Sequence, residues 1–400
     1  MAPPFRNEHI GSLLRPQALL EARIALASPS QLYTLEVPQS AKAAEREAIR
    51  DVVRIQIEKG IRPITDGEYA RHIYYGGFFE KLAGMEVRPA LPIPGAFRTD
   101  FPTTTRLAEM GAETRAAVVC TGKIAYRESP YLSEWLTLRD NLPRDLWSAA
   151  KLTIPSPTYQ HMQLRPGTAW TAGSGYATDE AYLADIAACG AAELRTLYDA
   201  GLRHVQVDDP HLTYFASPAF LGGCARDGTD AAALLALYAR AHNRLLAGRP
   251  AGLRAGLHLC RGNMAGSVSW VEGSYEAIAA TVLGATDYET YYLEFDDVAR
   301  AGGLGALRHL PRGKNVVLGL VSTKRAALED PGALRATIRA AAAVIAEAQG
   351  VGAAEALDCL ALSPQCGFSS SSLAGGVGVT EDIMWRKLEL VRRVAEEVWG

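Results

Sequence analysis

The sequence predicts an α/β protein built as a single (β/α)8 TIM-type barrel, and three observations carry that expectation. Helix-period segments alternate with short β-branched runs, often with a glycine at the joint. The joints are short, which calls for parallel strands linked by crossover helices. About eight strand segments can be picked out, near 8–12, 61–65, 151–155, 203–208, 254–260, 290–295, 315–321 and 357–363. That number suits a closed barrel better than an open doubly wound sheet, the alternative architecture. No Gly-x-Gly-x-x-Gly follows an early strand, which weakens a dinucleotide-binding reading.

The elements follow in order. Ser40 is placed to cap a helix with apolar positions at Ile49, Val52, Val53 and Ile57, and Gly60 closes it. The short apolar segment Ile61–Ile64 then ends in Thr65-Asp66-Gly67-Glu68. Residues 85–150 break the rhythm with prolines and a Val118-Val119 run before Gly122. They read as an insertion between the second and third strand segments, inside one catalytic unit spanning 1–400. Thr178 opens the next helix, with Asp179 and Glu180 in a first turn whose dipole favours acids. It runs to Ala200, stops at Gly201 and leads into the strand His204–Asp208. Similar units supply the later strands.

Composition narrows the function classes. The chain has 400 residues, 41 Lys+Arg, 44 Asp+Glu and a net charge of −3; 21% of residues are charged and 48% hydrophobic. These are globular values, not those of a disordered chain. The balanced charge gives no reason to expect nucleic acid or an anionic membrane as partner. No apolar run is long enough to predict a spanning helix, and the first residues lack a signal-peptide core. Six cysteines in this length do not make a disulfide scaffold, so a reducing cytoplasm is expected.

In a barrel, chemistry gathers at the C-terminal strand ends. The polar residues there are Ser12, Glu68, Asp208 with Asp209, His258 with Cys260, Glu294 with Asp296 and Asp297, Ser322 with Lys324, and Cys366. Residues two apart on a strand share a face, so His258 and Cys260 point together while Leu259 points away. Alone, such a pair is more often structural than metal-binding. Cys366 alone would be a small buried hydrophobe, and Glu294 alone a solvated acid or an arginine partner. Together they place one nitrogen, two sulfurs and one carboxylate at three strand ends of one rim, which points to Zn(2+).

The chemistry follows from charge. Zinc with these four ligands carries about −1, which makes it a poor centre for splitting water. It suits binding an incoming thiol, lowering its pKa and holding it as a thiolate. Glu294 is the most replaceable ligand, and the implied reaction is alkyl transfer to a zinc-bound thiol. Cys120, Cys189, Cys224 and Cys359 read as packing residues. Lys324 is either an anion contact or a solvated rim lysine, and Arg261-Gly262-Asn263 shapes the turn after the ligands.

These segments together resemble the cobalamin-independent methionine synthase family, in its C-terminal catalytic barrel. The resemblance runs through His9-Ile-Gly-Ser-Leu-Leu-Arg-Pro16, Ile64-Thr-Asp-Gly-Glu68, Val205-Gln-Val-Asp-Asp-Pro210, His258-Leu-Cys-Arg-Gly-Asn263, Leu293-Glu-Phe-Asp-Asp297, Leu318-Gly-Leu-Val-Ser322 and Ser363-Pro-Gln-Cys-Gly367. It covers nearly the whole chain. The family's zinc ligands match His258, Cys260, Glu294 and Cys366. Its substrate-seating Ile-Gly-Ser matches Ile10, Gly11 and Ser12, and its substrate-binding acids match Glu68 and Asp208. The resemblance implies an amino-acid thiol such as homocysteine and an alkyl donor such as methyltetrahydrofolate.

Three features depart from the family. Its full-length members carry an N-terminal barrel that helps bind folate, and this sequence lacks one. Val321 holds the place of the histidine that acts as general acid. The folate-stacking tryptophan region corresponds to Thr153-Ile-Pro-Ser-Pro157, with no tryptophan. His9, His72 and His211 are the candidate acids here, with surface or capping roles as the alternative. The readings that remain are a homocysteine-type S-methyltransferase, another zinc-thiolate alkyltransferase or C–S lyase such as one opening epoxides with coenzyme M, and a non-enzymatic zinc-binding protein.

Overall fold

Helix starts are written into the sequence as caps. Thr178, Ser217, Asp230, Asp297, Asp330 and Thr380 each accept a backbone N–H two or three residues ahead and open a helix. Each such cap stabilises its helix by about 1 kcal/mol. The computed structural model describes residues 2–24, 39–263, 269–371 and 376–400. The helix assigned to Ser40 spans Gln39–Glu58, with Ile49, Val52 and Val53 buried, and Gly60 follows at φ +66°. The Ser40 side chain lies outside the described residues.

Among the described residues, two antiparallel strands, β1 (Ala83–Pro92) and β2 (Thr114–Ala125), precede six parallel ones. These are β3 (Lys151–Pro155), β4 (His204–Asp208), β5 (Arg254–Leu259), β6 (Thr290–Glu294), β7 (Asn315–Val321) and β8 (Leu360–Pro364), hydrogen-bonded in sequence order. The molecule is therefore an α/β fold on a six-stranded parallel sheet. Pro155 pairs with Asp208 and Asp208 with His258, while Glu294 pairs with Gly319 and Gly319 with Ser363. This register aligns the C-terminal strand ends on one rim.

Three strand expectations need correction. Segment 8–12 is not a strand. Asn7 bridges Leu362 in parallel, but Gly11, at φ +128°, turns the chain away. Segment 61–65 contributes only a bridge between Ile64 and Ala150, because Pro63 has no N–H to extend the ladder. The strand expected over 357–363 begins at Leu360, because helix-forming Ala353–Asp358 occupies the preceding turns. Residues 85–150 contain most of the β1–β2 hairpin and the helices Pro102–Glu109 and Leu132–Asp140.

Strand alternation separates two environments. Val205, Val207, Leu257, Leu259, Leu293 and Leu318 pack in the main core. On the opposite face a small apolar cluster, Ile10, Tyr292, Val317 and Ala361, adjoins a buried polar network. There Lys151 Nζ donates to Glu8 Oε2 at 2.9 Å, the His9 carbonyl at 2.6 Å and Gln206 Oε1 at 2.8 Å. Gln206 Nε2 in turn donates to Asp208 Oδ1 at 2.7 Å and so fixes a rim residue from below. No helix among the described residues is long and apolar enough to cross a membrane.

Candidate metal centre

Four side chains meet at the rim. One ligand atom each from His258, Cys260, Glu294 and Cys366 lie within 4.8 Å of one another. Cys260 Sγ is 3.3 Å from Cys366 Sγ, and Cys366 Sγ is 3.8 Å from His258 Nε2. A tetrahedral ion with sulfur at about 2.3 Å and nitrogen at about 2.0 Å spaces such donors by about 3.5–3.8 Å. The donor set and its spacing therefore fit zinc.

Local structure explains each position. His258 is the penultimate residue of β5, on the sheet face opposite Leu259, which packs in the core. The Gly262 N–H donates to Cys260 Sγ at 3.2 Å. Cys366 follows β8, where the Gln365 N–H donates to the Val321 carbonyl at 2.8 Å. Glu294 ends β6, its Oε1 accepting the Arg261 N–H at 3.1 Å and its Oε2 lying 3.0 Å from Arg300 Nη1. Arg300 also pairs with Asp296, and buried Arg261 stacks over Tyr275 at 4.1 Å. Lys324 reaches the loop rather than solvent: its Nζ donates to the Gly262 carbonyl at 2.6 Å.

Burial and close neighbours shift the acidities of the cluster. The hydrogen bond with Cys260 and burial hold the Cys366 thiol well above its ordinary range. Burial raises Glu294, with Arg300 acting against it. Burial lowers His258 to about 3, and the charge of Lys151 adds to the effect, so the ring is neutral and ready to donate a lone pair.

The cluster opens into a cavity of about 610 Å³ that Ile10, Ser12, Glu68 and Asp208 also line. Glu68 holds a left-handed backbone, φ +59°, braced by Asp66 Oδ1 on its N–H and Arg15 on its carbonyl. Its Oε1 accepts from Thr153 at 2.7 Å, and its buried Oε2 has no hydrogen-bond partner among the described residues. Burial raises Glu68 and lifts Asp208 well above the carboxylate range, the Glu68 charge adding to the latter. Gly11 has no side chain for a reason: a Cβ there would sit 2.6 Å from Thr153 Cγ2.

The candidate acids separate. His72 and His211 line the cavity, and His9 does not; His9 Nε2 donates to the Pro63 carbonyl at 2.7 Å instead. Burial lowers both His9 and His211 to about 3. Val321 is buried in the main core, beside a register irregularity between β7 and β8, and does not reach the cavity. The sequence reading missed Arg15, Thr153, Gln206 and Arg300. Arg15 and Gln206 lie inside quoted motif segments, whereas Arg300 lies outside them, four residues past Asp296 and six past Glu294.

No family model matches the chain. Two uncharacterised Bacillus subtilis (strain 168) proteins do: YxjH is 32% identical over 99% of this chain and 95% of its own length, and YxjG 31% identical over the same shares. A Listeria monocytogenes structure described as a candidate vitamin-B12-independent methionine synthase superposes with a TM-score of 0.69 at 25% identity, covering 100% of this chain and 99% of that one. A B12-independent methionine synthase from Shewanella sp. W3-18-1, in complex with selenomethionine, shares the fold with a TM-score of 0.66 at 18% identity, over 98% of this chain and 97% of that one. Full-length similarity at this level places the chain in the same family as YxjH and YxjG, on the fold of these B12-independent methionine synthases.

Proposed function

We propose that this protein is a zinc-dependent thiol S-alkyltransferase, foremost a methyltransferase acting on homocysteine or a similar amino-acid thiol with a methyltetrahydrofolate as donor. The observation that carries the reading is the convergence of His258, Cys260, Glu294 and Cys366 beside a cavity that Glu68, Asp208 and Ser12 also line. We read residues 1–400 as one catalytic unit of (β/α)8 type, its six-stranded sheet extended at either edge by the bridges at Asn7 and Ile64, with 85–150 inserted, working in the cytoplasm.

His258, Cys260, Glu294 and Cys366 would hold the zinc, which when bound supplies acidification of an incoming thiol at neutral pH. Glu68 and Asp208 would receive the substrate ammonium. Burial raises both, and a cation between them would favour their ionised forms. Backbone groups at Ile10-Gly11-Ser12 would seat the carboxylate. Glu294 is already drawn toward Arg300, so of the four residues that would hold the metal it would be the most readily displaced by a substrate sulfur. Among the named candidates, His72 and His211 have access to a departing group.

A second reading is favoured by one observation. Val321 brings no acid to the cavity, which suits a donor other than folate, such as an epoxide, or a C–S lyase reaction. A purely structural zinc site fits less well, because such sites are closed and favour sulfur and nitrogen ligands. The test is mass spectrometry of zinc-loaded protein given homocysteine and mono- or triglutamyl methyltetrahydrofolate. Methionine is the expected product. One zinc per chain with no methionine overturns the folate reading and turns the search to other electrophiles.

A further inference from the structure

We propose that Thr153 is the positioning residue that makes the site select a thiol carrying an α-amino group: its hydroxyl fixes Glu68 so that one carboxylate oxygen faces a substrate ammonium. The inference rests on the amino-acid-thiol reading and adds the residue that enforces it against thiols without an amine.

Thr153 lies in β3, two residues after Lys151 and on the same face, and pairs with Gln206 of β4. It is buried and stands behind the cavity lining rather than in it. Its Oγ1 has two neighbours of opposite kind. Arg71 Nη1 donates to it at 3.3 Å, and Glu68 Oε1 lies 2.7 Å away. A guanidinium only donates, so the hydroxyl hydrogen is directed to Glu68. Arg71 is itself held on several sides. Its Nε donates to Glu134 Oε2 at 2.7 Å, its Nη1 also reaches the Tyr74 carbonyl at 3.1 Å, and its Nη2 donates to the Thr153 carbonyl at 2.8 Å. The guanidinium also stacks over Tyr131 at 4.1 Å.

One oxygen of Glu68 is thereby used and the other is left. Oε2 is buried without a hydrogen-bond partner among the described residues, and Glu68 lines the cavity. A buried acceptor without a donor is costly, and a ligand that brings a charged N–H donor removes the cost. An ammonium does so. A thiol ending in a carboxylate or sulfonate alone does not, and its charge opposes that of Glu68. The Thr153 methyl group ties the same side chain to the neighbouring turn. A Cβ on Gly11 would lie 2.6 Å from Thr153 Cγ2 and 3.6 Å from Glu68 Oε1, so the Ile10-Gly11-Ser12 turn packs directly on this pair. The two groups that an α-amino acid carries on one carbon therefore meet a site registered by one threonine.

The test is calorimetric titration of zinc-loaded protein with homocysteine and with 4-mercaptobutanoic acid, the same thiol without its amine. The wild type should bind homocysteine about a hundredfold more tightly. Thr153→Val and Thr153→Ala should each cut that preference about tenfold, through homocysteine alone, with zinc content and affinity for 4-mercaptobutanoic acid unchanged. Thr153→Ser should keep it. Placed on Glu68→Gln, Thr153→Val should have no further effect on the preference. Full preference in both hydroxyl-free variants, or equal loss of the two thiols, overturns the positioning role and leaves the thiol reading standing. A wild type that binds the two thiols alike, or binds neither, overturns the amino-acid-thiol reading and the proposal with it.

Discussion

At the residue scale the four donors are unequal. Cys260, Cys366 and His258 have few competing partners, whereas Glu294 is shared with the Arg261 backbone and Arg300. Cys260→Ser and Cys366→Ser should each lose bound zinc and all alkyl transfer, as metal analysis alongside the activity assay would show. Glu294→Ala should retain a substantial fraction of zinc, because two sulfurs and a nitrogen remain. Complete zinc loss in that variant would contradict a displaceable carboxylate. Val321→His should raise methyl transfer from folate only if the ring escapes the core, where Val321 is now fully buried.

At the element scale, β3 and β4 support the site through the Glu8–Lys151–Gln206–Asp208 network. Glu8 also accepts from Tyr292 at 3.1 Å, so each of its oxygens has a partner. Lys151→Met would leave Glu8 buried without its counter-charge. It should destabilise the fold by about 3–5 kcal/mol, the usual effect of breaking a buried pair from one side. Pairing it with Glu8→Gln should recover much of that, measured by denaturant unfolding. A double variant as unstable as the single one would show that packing, not charge, dominates there.

At the scale of the whole molecule, buried titratable groups set a pH window. His9 and His211 are lowered to about 3 from 6.5, so below pH 6.5 the unfolded chain binds more protons and folding weakens with acid. Glu80 and Glu134 are raised to about 7 from 4.5, so above pH 4.5 the folded chain holds extra protons and folding weakens as pH rises toward 7. Each group contributes a slope of about 1.4 kcal/mol per pH unit inside its own window. The two sets oppose one another between 4.5 and 6.5. Apo protein should therefore show a broad stability maximum there, falling on both sides, in urea titrations from pH 3 to 8. A monotonic rise to pH 8 would contradict the buried acids.

The sequence by itself determined what depends on local spacing. His258 and Cys260 share a face because strand side chains alternate, and the caps at Thr178 and Asp330 need only the residues that follow them. Cys366 and Glu294 were legible because each closes or follows a short apolar run that reads as a buried strand. Tertiary structure alone decided what depends on distant partners. It left segment 8–12 without a strand, next to a bridge at Asn7, and reduced 61–65 to a single bridge at Ile64, since a strand needs neighbours able to continue the ladder. It sent His9 to the Pro63 carbonyl and Val321 into the core, because the face a side chain takes near a turn or a register irregularity is set by packing rather than alternation. It also brought Arg115 to the Tyr159 hydroxyl, a contact between β2 and Tyr159 across 44 positions that no local pattern records.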